Sequence, residues 1–198
     1  MGHYGLPRVA DARTADPLER TTLSTLPAAY LAGMAQPSIA AFESERRDVT
    51  TLNLSRIVQG LGYQVSLLPA GYLTAIEAAE RVSETIETQG APRAEIHLLQ
   101  LADDLAEAEP ALCCALVTAA PALTGDRRFD AWLAGLVEYR LGQIGVPAPR
   151  WVNDPERSNP GEWVVGGLSS LADVVRARTP EPLRRRGVLI SEDDLTSV

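Results

Sequence analysis

Glycine and proline cut this chain into short pieces, and the spacing of the cuts limits what it can fold into. Breakers stand at Gly33, Gly62, Pro69-Ala70-Gly71, Gly90-Ala91-Pro92, Pro110 and Thr179-Pro180, and four prolines fall within Val146–Gly161. Proline removes a backbone donor and clashes with the preceding turn, while glycine raises the entropic cost of a helix interior. Between the cuts, apolar residues recur at the spacing of a helix with one buried face. The chain is therefore predicted to be mainly α. Its longest apolar run, Ala111–Leu123, is interrupted by Thr118 and Pro121 and is too short to span a bilayer. Met1–Arg20 lacks the hydrophobic run of a signal peptide, so a cytoplasmic location is expected.

Residues 1–11 lack periodicity and read as a flexible arm. A short helix begins at Pro17 with Asp16 as its cap. Thr25–Ala32 follows, with Ser24 as its N-cap, then Gln36–Glu43 with Ile39 and Phe42 on its buried side, then Leu52–Leu61. The period changes at Tyr63–Leu68, where Tyr63, Val65 and Leu67 alternate with polar residues as in a half-buried strand. A lone strand needs a mate, and its copy in a second subunit supplies one. Beyond residue 70 the expected helices are Tyr72–Thr88, Ala94–Ala108, Ala111–Ala120, Asp126–Ile144 and Leu168–Ala177, with Val146–Gly161 as loop. The tail reads as a basic turn, Arg184–Arg186, a strand, Val188–Ile190, and an acidic turn, Glu192–Asp194, capped by Ser191.

Four short helices, with a glycine turn between the second and third, make a helix-turn-helix layout. The third helix presents Gln36, Pro37, Ser38 and Ala41 away from Ile39 and Phe42. A helix of this kind fits the major groove, where Gln36 would bond the N6 and N7 edge of adenine. The helix starts at Ser24-Thr25 and Gln36 would lie against phosphates, and Arg46 and Arg47 would neutralise backbone charge.

The string Leu23-Ser24-Thr25-Leu26-Pro27-Ala28-Ala29-Tyr30-Leu31-Ala32-Gly33-Met34-Ala35-Gln36-Pro37-Ser38-Ile39-Ala40-Ala41-Phe42-Glu43 resembles the lambda-repressor-like, or Xre-type, DNA-binding domain. Arg46-Arg47-Asp48, Leu52, Ile57, Leu61 and Gly62 continue the match. The resemblance implies a four- or five-helix domain that binds a double-stranded operator as a homodimer, with no cofactor. It departs from the family at Ala35, where a Ser cap worth about 1 kcal/mol is usual, and at Ala28, Glu45 and Val49. These departures point to weaker DNA binding, or binding that needs a dimer or a co-repressor. Gly125–Trp132, Pro149–Val152 and Thr179–Val188 resemble the tail of actinobacterial Xre-type regulators. Some of these look like antitoxins paired with a nucleotidyltransferase-like toxin.

The net charge of −8 argues against nucleic acid only until it is divided. Residues 1–70 carry six Arg and six Asp or Glu; residues 71–198 carry twelve and twenty. The surplus lies beyond the helix-turn-helix, where it suits a protein partner. Adjacent Cys113 and Cys114 read as reduced structural thiols. The chain has no His-Glu-x-x-His motif, and its two histidines, His3 and His97, are far apart in sequence. Asp103-Asp104 and Asp193-Asp194 read as solvated faces, and Gly166–Ser170 as a helix start capped by serine. Arg184–Arg186 either grips an anion or pairs with Glu192–Asp194. Trp132, Trp151 and Trp163 are either core or partner anchors.

The expected protein is thus a transcriptional repressor and not an enzyme. It has a DNA-binding domain at residues 12–70 and an acidic helical domain at 71–198 that dimerises or holds a partner such as a toxin. The alternative is a protein-interaction module whose helix-turn-helix no longer binds DNA.

Overall fold

Residues 55, 56, 58, 59, 67–167 and 171–195 are described by the structure, a computed structural model. The chain divides into two units between Leu67 and Leu68. In the first unit Ser55, Arg56, Val58 and Gln59 are helical, within the helix expected at Leu52–Leu61. The arm, the first three helices and residues 63–66 of the expected strand lie outside the described residues; Leu67 and Leu68 belong to no strand.

The second unit begins with a helix pair. Thr74 caps α1 (Ala75–Gln89) reciprocally with Glu77: its hydroxyl accepts from the Glu77 N–H at 3.1 Å, and Glu77 Oε2 accepts from the Thr74 N–H at 2.9 Å. Gly90, at φ 89°, separates α1 from α2 (Ala91–Glu107). Pro92 does not end a helix here; it sits in the first turn of α2, where its missing N–H costs nothing. The break expected between Thr88 and Ala94 thus contracts to Gly90 alone. Ala75, Ala78, Ala79 and Ala94 are buried, and such small side chains let helix backbones lie close together.

Proline also starts α3 (Pro110–Val117). Asp126 caps α4 (Arg127–Gln143) by accepting from the Arg128 N–H at 3.0 Å. This helix is the centre of the unit. Phe129, Trp132, Leu133, Leu136, Val137 and Leu141 are buried on different sides of it. A helix that is apolar most of the way round must be surrounded. Helices α1, α2 and α3 pack on it from the N-terminal part of the unit.

The C-terminal part wraps α4 with short elements. A 3-10 turn at Arg150–Asn153 lies within the proline-rich loop. Strands β1 (Trp163–Val164) and β2 (Val188–Leu189) pair in parallel, Trp163 opposite Val188 and Val164 opposite Leu189. Helices α5 (Ala172–Arg178) and α6 (Glu181–Arg184) lie between them in sequence, and a 3-10 turn at Glu192–Leu195 follows. Gly166 and Gly167 take positive φ in a short turn, and α5 begins only at Ala172 with no side-chain cap, so the serine-capped start expected there is not the start of this helix.

The tryptophans are core residues. Trp132 and Trp151 are buried, and half-buried Trp163 lies 5.4 Å from the Phe129 ring and 5.8 Å from the Trp132 ring. The Arg128 guanidinium lies over Trp163 at 5.4 Å. Among the described residues no helix is long and apolar enough to cross a membrane.

Candidate functional site

The expected DNA contacts Ser24, Thr25, Gln36, Pro37, Ser38, Ala41, Arg46 and Arg47 lie outside the described residues. The second unit has a polar architecture of its own, built on arginine.

Among the described residues three arginines are buried: Arg140, Arg157 and Arg186. Burial lowers the pKa of each, yet a guanidinium stays charged and must find acceptors. Backbone carbonyls supply many of them. Arg140 donates to the Leu195 carbonyl at 2.6 Å and ties the C-terminal turn to α4. Arg186 donates to the Pro182 and Val152 carbonyls at 2.7 and 3.1 Å. Arg157 donates to the Pro121 carbonyl and lies 4.8 Å over the Trp151 ring, while Trp151 Nε1 donates to the Val117 carbonyl at 3.0 Å.

Arg157 and Arg186 line an open groove of about 410 Å³ together with Val152–Pro155, Ser158 and Arg185. The basic run is thus partly accounted for. Arg185 pairs with Glu138 and Arg186 reaches the same carboxylate at 2.6 Å, so neither takes the expected partners Glu192–Asp194. That acidic turn is claimed elsewhere: Tyr139 donates to Glu192 at 2.5 Å and Arg178 lies 3.2 Å from Asp193. Arg157 is less well served. Its nearest carboxylates, Asp130 and Asp154, both stand 3.9 Å away, and its Nε and Nη1 have no hydrogen-bond acceptor. Asp130 instead accepts from the Thr124 N–H at 2.9 Å, and burial pushes its carboxyl above the usual carboxylate range.

Asp104 corrects the reading of Asp103-Asp104 as a solvated pair. It is buried; its Oδ2 accepts from the Leu73 N–H at 2.6 Å and its Oδ1 from Gln100 Nε2 at 2.9 Å. Its orphan donor on Leu73 gives it a reason to be inside. His97 ties α2 to α1 through Thr85 Oγ1 at 2.8 Å, and burial lowers its pKa. Cys113 and Cys114 are free thiols, and burial pushes that of Cys113 up. Among the described residues no group of three or more His, Cys, Asp or Glu is placed to hold a metal ion. At the groove, arginines are held against backbone carbonyls and carboxylates, and Arg157 is the one whose Nε and Nη1 lack an acceptor.

Nothing in the local sequence marks the groove. Arg157 sits in a proline-rich loop, and the residues that meet it, Pro121, Asp130 and Trp151, have no helical or strand spacing to it. Compared with models of known protein families, with curated proteins and with solved structures, the chain matches none.

Proposed function

We propose that the chain is a sequence-specific DNA-binding transcriptional repressor of the Xre type. The observation that carries this reading is the Leu23–Gly62 spacing, which holds helix breaks, buried positions and exposed polar positions together over some forty residues. The helical state of Ser55, Arg56, Val58 and Gln59 supports it, because the pattern needs a helix there. Two recognition helices of a homodimer enter successive major grooves, with Gln36 on a base edge and Arg46 and Arg47 on phosphates.

The test is selection of bound sequences from random DNA by the full chain, followed by anisotropy across salt. A specific operator and a steep loss of affinity with salt are expected. Gln36→Ala with Arg46→Ala should weaken operator binding by about 2–4 kcal/mol in total; unchanged binding rejects the docking.

The acidic surplus beyond residue 70 favours a second reading, in which that half holds a basic protein partner. As an antitoxin, the protein would neutralise a toxin there while repressing its own promoter. Co-purification from the native host, with the chain tagged at one end, separates a toxin-bound regulator from a dimer alone. A chain that holds a partner and selects no DNA sequence is an interaction module.

A further inference from the structure

We draw no further inference here: the strongest candidate, the apolar surface patch at the start of α5 where Leu171 and Val174 are 48% and 57% exposed, is an unpartnered face, and nothing in the structure shows what covers it.

Discussion

The carboxylate of Asp104 reaches back across 31 residues to hold the backbone N–H of Leu73 at 2.6 Å. It closes the start of the second unit onto α2, one residue before the Thr74 cap. Asp104→Ala leaves that buried N–H without an acceptor and should destabilise the protein by about 2–3 kcal/mol. Asp104→Asn keeps an oxygen and should cost less. Urea unfolding of the two variants checks the order; equal, small losses would mean that water replaces the carboxylate.

Three glycines separate steric from conformational demands. Gly187 has φ 74°, and a Cβ there would overlap the Gly161 carbonyl oxygen and stand 2.8 Å from that of Asn159. Both obstacles are backbone, so Gly187→Ala should cost about 4 kcal/mol or more. Gly135 has an ordinary helical place, but its Cβ would lie 3.0 Å from Leu183 Cα and would push α6 off α4. Gly125, at φ 85°, has nothing within 4 Å, so alanine there should cost only the left-handed penalty of about 1–2 kcal/mol. Thermal unfolding should rank Gly187→Ala above Gly125→Ala.

Glu138 is the shared counter-ion of Arg185 and Arg186. Its removal as Glu138→Ala leaves buried Arg186 with carbonyl acceptors but no carboxylate, a loss of about 3 kcal/mol. Arg185→Ala, which removes a 43% exposed partner of the same carboxylate, should cost under about 1 kcal/mol. Chemical denaturation of both variants tests this asymmetry, and similar losses would contradict it.

Tyr139 should titrate late. Burial first, and then its hydrogen bond to Glu192, push its phenol up to about 12 from an ordinary 10.0. Its folded value is raised, so its contribution to stability is complete below pH 10 and is lost as the pH rises through about 12. Ultraviolet difference titration of the parent chain against Tyr139→Phe isolates this group. Glu192→Gln should lower its pKa only in part, because burial remains.

Local signals located the helices well and the contacts between them poorly. The role of Asp126 as a cap, the breaks at Gly90 and Pro110, and the apolar face of 126–144 are all decided within a few residues, and the structure has helices bounded there. Strand β1 was not legible: two residues, Trp163–Val164, carry no period, and they are a strand only because Val188–Leu189 lies beside them. Helix α6 was hidden for a like reason, having four residues inside what reads as a basic turn. Asp104 looked solvated because its partner on Leu73 is distant in sequence. The groove was equally invisible, since residues 152–155, 157 and 158 meet residues 185–186 only after folding.

The amino-acid sequence alone settled that residues 71–198 are mostly helical and placed α1 to α4 to within a few residues, because caps, prolines and glycines act over a single turn. It also carries the Leu23–Gly62 pattern on which the DNA-binding proposal stands. Tertiary structure decided which charges are inside. An arginine or aspartate is buried when an acceptor or donor from a remote segment meets it, as the Val152 carbonyl meets Arg186 and the Leu73 N–H meets Asp104. Desolvation is offset only by that meeting, and no local spacing encodes it.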